Sequence, residues 1–309
     1  MKVLVTGGAG FIGSHLSESL AQDNDVIIVD NISTGSKENL SFLKDIKSTK
    51  FFRCDCTNFE EIQSLCKDVD TIFHFAANPE VRIKNHDTAS FTQNVIATRV
   101  MLETAIKSNV KKFVFASTST IYGEPTIMPT PENYGPLKPI SIYGATKLAS
   151  EALVSAYCSS FKMSGIILRF ANIIGMRSNH GVIYDFFNKL KTNSQKLEIL
   201  GDGTQTKSYL HIDDCIPAIL LASKNDGIRI YNIGSEDQAN VTEIANVISN
   251  AMDVSPKYDY IRGVDGGRGW IGDVKKMVLD IAQIKKLGFM PTMNSHDAVK
   301  RTIIDMLEK

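Results

Sequence analysis

This sequence predicts an α/β fold, a doubly wound parallel sheet with a smaller C-terminal α/β lobe, from three observations. Short apolar, β-branched runs alternate with longer segments of helical spacing as far as residue 172. The strand-like runs are continuously apolar, which is the pattern of parallel strands covered on both faces. The first of them empties into a glycine-rich turn that leads directly into a helix. Past Asn172 the alternation loosens. Residues 1–172 are therefore expected to form the sheet domain, with a segment near 208–235 returning to it. Residues 173–309 are expected to form a lobe that closes over it and holds substrate.

The first unit is Lys2-Val3-Leu4-Val5-Thr6, then Gly7-Gly8-Ala9-Gly10-Phe11-Ile12-Gly13, then Ser14 to Leu20 with helical spacing. Both GxxGxxG (Gly7, Gly10, Gly13) and GxGxxG (Gly8, Gly10, Gly13) can be read in the turn. Such glycines let the backbone fold tightly and approach a pyrophosphate, whose charge sits against the N–H groups opening the helix. Taken alone, the pattern also fits a tight turn without a ligand. The second strand, Val26-Ile27-Ile28-Val29, supplies context by ending in Asp30. That residue lies about 20 positions beyond the loop, where a Rossmann-type fold places an acid on the adenosine ribose. A carboxylate there accepts from both ribose hydroxyls and repels a 2′-phosphate, so NAD is favoured over NADP.

The remaining elements follow in order. Phe51-Phe52-Arg53-Cys54 reads as a third strand ending at Asp55-Cys56. Asp55 either accepts from an adenine amino group or merely opens a helix, and both readings stay open. Thr71 to Phe75 is the fourth strand, and Ala76-Ala77 follows where backbone passes close to the cofactor. A long helix is expected from Asp87 to Ser108, carrying Asn94. Lys112 to Ala116 is the fifth strand, emptying into the hydroxyl cluster Ser117-Thr118-Ser119-Thr120. The carboxyl edge of an open α/β sheet is where ligands bind, although serine and threonine also favour plain turns. A proline-rich loop spans Tyr122 to Ser141, a helix runs from Tyr143 to Phe161, and Gly165 to Phe170 is the sixth strand. Later come a turn at Gly201-Asp202-Gly203, a strand Ser208–His211, a helix Asp213–Ser223 and a returning strand Ile230–Ile233. A glycine-rich run Arg262–Gly269 precedes two helices, Asp280–Leu287 and Ser295–Lys309.

Composition narrows the function classes. Lys+Arg and Asp+Glu both number 34, so the formal net charge is zero, which argues against nucleic-acid or anionic-membrane binding. No apolar run approaches the ~20 residues of a membrane span, and the N-terminus begins a strand rather than a signal peptide. The five cysteines are odd in number and lie mostly in apolar segments, and the histidines show no ligand spacing. Unpaired core thiols in a reducing cytoplasm, with no metal, are expected.

The chemistry-bearing residues converge on one reaction type. Tyr143 and Lys147 are spaced i, i+4 and project from one helix face. A free tyrosine titrates near 10, too high for an efficient base at neutral pH. A lysine ammonium and an oxidised nicotinamide beside it both favour the phenolate. Such a tyrosine removes a proton from a sugar or alcohol hydroxyl as the carbon gives hydride to the cofactor, with a serine or threonine hydroxyl steering the same oxygen. A helix surface pair is the bland reading of YxxxK; its place between the fifth and sixth strands argues for catalysis.

With these motifs the chain resembles the extended short-chain dehydrogenase/reductases, in the NAD-dependent sugar-nucleotide epimerase/dehydratase family. The resemblance rests on Thr6-Gly-Gly-Ala-Gly-Phe-Ile-Gly13, His74-Phe-Ala-Ala77, Tyr143-Gly-Ala-Thr-Lys147, Arg169-Phe-Ala-Asn172 and Gly201-Asp-Gly-Thr-Gln-Thr-Lys-Ser-Tyr209, and covers nearly the whole chain. Within that family it is most similar to UDP-glucose 4-epimerases, particularly the short archaeal type that also handles UDP-N-acetylglucosamine.

The resemblance implies roles residue by residue. Gly7, Gly10, Phe11, Ile12, Asp30, Asn31, Ser33, Thr34 and Gly35 match cofactor-contacting positions, as do Asp55, Cys56, Phe75, Ala76, Ala77, Asn94, Tyr143, Lys147 and Phe170. Thr118 falls on the catalytic serine/threonine, with Ser117 just before it. Thr118, Asn172, His180, Gly181, Val182, Lys207, Tyr209, Arg268 and Asp273 fall on substrate positions. The family usually has arginine at the place of Lys207; lysine offers a point charge instead of a bidentate grip on the diphosphate, which shifts expected weight to Arg268. Met277 falls on the position gating C2 substituents, where a slim, flexible methionine is expected to admit an acetamido group; core filling is the other reading.

The reaction class also follows by comparison. Sugar-nucleotide 4,6-dehydratases carry Asp-Glu just after the catalytic threonine, and related UDP-glucuronate decarboxylases keep a glutamate there. Here those positions are Ser119 and Thr120. Elimination would lack its acid/base pair, whereas 4-epimerisation needs only tyrosine, a hydroxyl and NAD. A non-catalytic NAD-sensing protein is the rival from another class, and retention of both Tyr143 and Lys147 argues against it. The family also implies a homodimer, paired through the helices holding Asn94 and Tyr143.

Overall fold

The computed structural model describes residues 1–44, 46, 48–81, 88–261, 263–264 and 266–308. The expected helix start at Asp87, positions Arg262 and Asp265 of the glycine-rich run, and Lys309 lie outside the described residues.

The chain opens with β1 (Lys2–Thr6), α1 (Phe11–Leu20), β2 (Asp25–Asp30), β3 (Thr49–Arg53), α2 (Phe59–Leu65) and β4 (Thr71–His74). Next come α3 (Ala89–Phe91), a π-helical turn Thr92–Ile96, α4 (Ala97–Lys107) and β5 (Lys112–Thr118). The long helix expected here is thus interrupted by a π turn centred on Asn94, a distortion often found at functional sites. After a 3₁₀ turn at Ser119–Tyr122 come α5 (Ile142–Phe161), β6 (Ser164–Phe170), β7 (Asn172–Ile174) and α6 (Val182–Thr192). Then follow β8 (Lys196–Leu200), β9 (Thr206–Lys207), β10 (Tyr209–His211), α7 (Ile212–Ser223) and β11 (Ile228–Ile233). The chain ends with β12 (Ala239–Asn240), α8 (Val241–Ala251), β13 (Lys257–Ile261), β14 (Lys276–Met277), α9 (Ala282–Lys285) and α10 (Ser295–Leu307).

Seven parallel strands form the main sheet in the order β11-β6-β5-β4-β1-β2-β3. Strand alternation sends Val3, Val5, Ile28, Val114, Ile166 and Leu168 to one face, where α1 and α7 cover them. Leu4, Ile27, Val29, Ile72, Phe113 and Ile167 go to the other, beneath α2, α4 and α5. Two buried faces explain why the inner strands read as continuous apolar runs, while the edge strand β3 keeps Lys50 and Arg53 exposed. The segment Ile230–Ile233 does return to this sheet, inside β11 beside β6. A third cluster holds Ile183, Phe186, Leu190, Ile244, Ile248, Val299 and Ile303 of α6, α8 and α10 over Leu197 and Ile199 of β8.

Several sequence expectations needed correction. The fifth strand continues two residues beyond Ala116, so Ser117 and Thr118 are strand residues and not turn. Their register opposite Arg169 and Phe170 of β6 gives both polar residues a backbone ladder. Helices α6 and α8 and the short strands β8, β9 and β12–β14 went unread. The expected helix Asp280–Leu287 shrinks to Ala282–Lys285, because Gly288 at φ +100° and the adjoining turn end it early. All five cysteines are free and buried. Among the described residues no helix is long and apolar enough to cross a membrane, and no cluster could hold a metal.

Candidate active site

A cleft of about 1380 Å³ opens along the carboxyl edge of the sheet. Its floor is the turn after β1. Gly7 sits at φ +67°, and a Cβ there would lie 2.6 Å from the Ala76 amide nitrogen. A Cβ on Gly13 would fall 2.1 Å from the Gly7 carbonyl oxygen. Only glycine permits these approaches, and Gly10 then caps α1 without any side chain over the N–H groups that open it. The cleft is a cradle shaped for a pyrophosphate.

Asp30, at the end of β2, accepts from the Ala9 N–H at 3.0 Å and the Ile32 N–H at 2.8 Å. Burial pushes its carboxyl upward, and these backbone bonds pull it back. Each oxygen keeps a second lone pair for a ribose hydroxyl. Asp55 accepts from Asn31 Nδ2 at 2.8 Å and from the Thr57 hydroxyl at 2.6 Å. Burial raises its carboxyl, but the bonds from Thr57 and Asn31 outweigh this and hold it below the usual range. It does not cap α2; Asn58 does, so the helix-opening reading of Asp55 is set aside.

Gly7, Gly10, Phe11, Ile12, Asn31, Ser33, Thr34, Cys56, Phe75, Ala76, Ala77 and Phe170 also line the cleft. Two of the expected cofactor positions do not. Gly35 packs on the loop itself, with Cβ space only 2.8 Å from the Ala9 carbonyl carbon. Asn94 is buried, and its amide is spent on the Asn78 N–H at 2.7 Å and the Thr146 hydroxyl at 2.9 Å.

Helix α5 supplies the reactive groups. Ser141 caps it by accepting from the Gly144 N–H at 3.0 Å. Tyr143 and Lys147 both face the cleft. Burial pushes the Tyr143 hydroxyl up to about 12, against the pull of a hydrogen bond from Thr118. Burial likewise drives Lys147 down to about 7, with Glu151 pulling it back up, and its ammonium lies 4.3 Å from the centre of the Phe115 ring. Burial outweighs the Thr118 bond at Tyr143, although that ring keeps part of its surface open to the cleft, whereas Lys147 is fully buried.

Thr118 also meets the Thr120 hydroxyl at 3.2 Å, and Ser119 and Thr120 line the cleft as expected. Ser117 behaves differently: its hydroxyl donates to Glu151 rather than to Tyr143. Two adjacent strand residues face opposite ways, so only one of the pair can meet the tyrosine.

The substrate end is lined by Asn172, His180, Gly181, Val182, Lys207, Tyr209, Asp273 and Met277. Asn172 donates to the Ser208 carbonyl at 3.1 Å. Tyr209 is buried, which raises its hydroxyl, while His180 lies at the exposed mouth of the cleft. Lys207 is 2.7 Å from buried Asp273 and 5.7 Å from the centre of the Trp270 ring. Arg268 stands apart: it pairs with Glu124 and is absent from the lining. Of the two, Lys207 is the cation that lines the cleft. Met277 is both cleft wall and core, so its two readings coexist.

Three participants went unread. Glu151 continues the i, i+4 series from Tyr143 and Lys147, a spacing visible in the sequence. Trp270 lines the cleft and is the chain's single tryptophan. His74 bridges Thr6 (Nδ1, 2.7 Å) and Thr98 (Nε2, 3.1 Å). Thr98 donates its proton to the Asn94 carbonyl at 2.6 Å, so it accepts from His74 Nε2–H and the ring is the neutral Nε2–H tautomer. Burial holds that ring down at about 3.

Comparison with known proteins agrees with this geometry. The model of the NAD dependent epimerase/dehydratase family matches residues 3–234. A putative UDP-glucose 4-epimerase of Methanocaldococcus jannaschii is 33% identical over 97% of this chain and 97% of its own. A crystal structure of a UDP-galactose 4-epimerase superposes with a TM-score of 0.89 and 38% identity, covering 100% of this chain and 99% of the other. A UDP-glucuronic acid 4-epimerase from Bacillus cereus, solved with UDP-glucuronic acid and NAD, gives 0.90 and 29% over 100% and 99%. The glycine cradle and Asp30 fit the same cofactor, NAD. With the glycine turn, the α5 pair and the sheet order all accounted for, the chain belongs to the NAD-dependent epimerase/dehydratase family.

Proposed function

We propose that this enzyme is a UDP-hexose 4-epimerase, acting on UDP-N-acetylglucosamine/UDP-N-acetylgalactosamine, on UDP-glucose/UDP-galactose, or on both. The observation that carries the reading is the meeting of Tyr143, Lys147 and Thr118 at the cleft, with Ser119 and Thr120 where elimination would need a carboxylate. Tyr143 takes the C4 hydroxyl proton and Thr118 holds that oxygen through its own hydroxyl. Lys147 stabilises the phenolate. Bound NAD supplies reversible hydride acceptance at C4 and, when oxidised, a positive charge that offsets the desolvation of the Tyr143 anion. The 4-keto sugar then turns about its bond to the diphosphate, and Tyr143 returns the proton to the oxygen on the other face. Substrate and product stand at one oxidation level, so the net redox change is zero and bound NAD would not need to exchange.

In this reading Lys207, which lines the cleft, holds the diphosphate and Met277 borders the sugar C2. Residues 1–172 with β11 serve as the cofactor domain, and the remainder as the substrate lobe. A second copy pairs on the helices bearing Asn94 and Tyr143; exposed Phe91 and Phe161 at their ends support this.

Purified enzyme incubated with the four UDP-sugars, without added NAD, should interconvert 4-epimers by NMR. Tyr143→Phe should keep cofactor binding and lose about 10²–10⁴-fold in turnover, the usual range for general acid–base catalysis. A 4-keto-6-deoxy or decarboxylated product, or wild-type turnover by Tyr143→Phe, would overturn the reading.

A further inference from the structure

A buried polar network lies behind the reactive groups, and of its members only Ser117 lines the cleft. Arg169 on β6 grips Glu151 with Nε at 3.1 Å from Oε1 and Nη2 at 2.8 Å from Oε2. Its Nη1 donates to the Tyr122 hydroxyl and to the Glu132 carbonyl, each at 2.8 Å. Tyr122 passes its own proton to Asn232 Oδ1 of β11 at 2.8 Å. Ser117 donates to Glu151 as well. The β5–β6 register explains this convergence, since Ser117 and Arg169 are ladder partners and present side chains on one face.

Replacing a buried ion pair by apolar residues of like volume is often neutral or stabilising, so stability alone is weak ground for keeping one. Position gives a better ground. Glu151 lies one helical turn beyond Lys147, and Ser117 immediately precedes Thr118. The carboxylate thus accepts from the residue next to Thr118 and, itself buried, stands one turn from buried Lys147 on the same face of α5. We propose that Glu151, clamped by Arg169, is a positioning residue that serves as the buried counter-charge of Lys147 and fixes the height of Thr118 against Tyr143. The proposal rests on the epimerase reading above.

The groups facing Lys147 leave Glu151 as its anionic partner. From α5 come Tyr143, a phenol, and Glu151 itself. From β4 comes His74, a neutral imidazole, and from β5 the Phe115 ring. Arg169 of β6 stands behind Glu151, bonded to it. The π turn before α4 brings Asn94, uncharged, while Glu103 of α4 meets Tyr157 far along α5. With Glu151 neutral, Lys147 loses the attraction that opposes its desolvation and gives up its proton at lower pH.

The test is the pH profile of kcat in the NAD-bound enzyme for wild type, Glu151→Gln, Glu151→Asp and Tyr143→Phe. Glu151→Gln should move the alkaline limb down by about one pH unit, roughly tenfold in kcat at pH 8.5, with KM unchanged. Glu151→Asp keeps the charge and should move the limb by less than half as much, which makes it the reporter should Glu151→Gln not fold. A uniform loss at all pH values in either variant, with the limb unmoved, overturns the proposal. If Tyr143→Phe retains turnover, the epimerase reading falls instead, so the two failures are told apart.

Discussion

Gly13→Ala isolates the requirement for close backbone approach under the cofactor. The added Cβ would lie 2.1 Å from the Gly7 oxygen, 2.8 Å from the Gly7 carbonyl carbon and 3.0 Å from the Gly8 Cα, all backbone atoms. Ordinary non-bonded contact is about 3.5 Å, so the turn must open by more than about 1 Å. Overpacking of this kind costs roughly 1–3 kcal/mol. Over 309 residues, with about 2.1 cal/mol/K of unfolding entropy per residue, 2–3 kcal/mol corresponds to a fall in Tm of about 3–5 °C. The shifted turn also displaces the amides expected to face a pyrophosphate, so NAD affinity should fall by at least about tenfold, near 1.4 kcal/mol. Gly8→Ala is the contrast: its Cβ would meet the Cγ2 methyl of buried, β-branched Ile28 at 2.6 Å, in the core and not in the phosphate-facing turn. It should melt about 3–5 °C below wild type while keeping NAD affinity within about threefold. Calorimetric NAD titration and thermal melts of both variants decide the matter. Wild-type NAD affinity and melting in Gly13→Ala would refute the reasoning.

Three further outcomes are expected. His74 is held down at about 3 against a free value of 6.5, so the unfolded chain binds more protons between those values. Its contribution to stability is complete above pH 6.5 and lost as pH falls towards 3, by about 1.4 kcal/mol per unit, and His74→Gln should flatten acid denaturation curves by that slope. Met277→Tyr should cut turnover of N-acetylated UDP-sugars at least about tenfold while sparing UDP-glucose, measured by competition kinetics; equal loss for both would mean that the residue acts only as core. Lys207→Met leaves Asp273 buried without its cation and should raise KM for UDP-sugar by about tenfold or more; an unchanged KM would remove Lys207 from diphosphate binding.

What the sequence determined by itself were features set by near neighbours. The glycine spacing, the acid closing β2 and the i, i+4 pair of α5 obey turn and helix geometry over a few residues, so their shape is written locally. The continuous apolar runs likewise announced a sheet buried on both faces, because the strand period and double coverage leave no alternative pattern. Past Asn172, α7, α9 and α10 were read, whereas the smaller lobe's strands of two to five residues are too short to show a period. Helices α6 and α8 went unread although Ile183, Phe186, Leu190 and Ile244, Ile248 stand at helical spacing.

Partners brought together from distant parts of the chain were decided only by the tertiary structure. Ser117 turns to Glu151, 34 residues on, because the strand runs past Ala116 and sets its face. Arg268 is taken by Glu124, 144 residues earlier, and Asn94 by Asn78 and Thr146, partners that sequence position alone does not announce. The placing of Tyr143 and Lys147 on one face of α5 was legible from their spacing, whereas the burial that raises the tyrosine and lowers the lysine came from the tertiary structure.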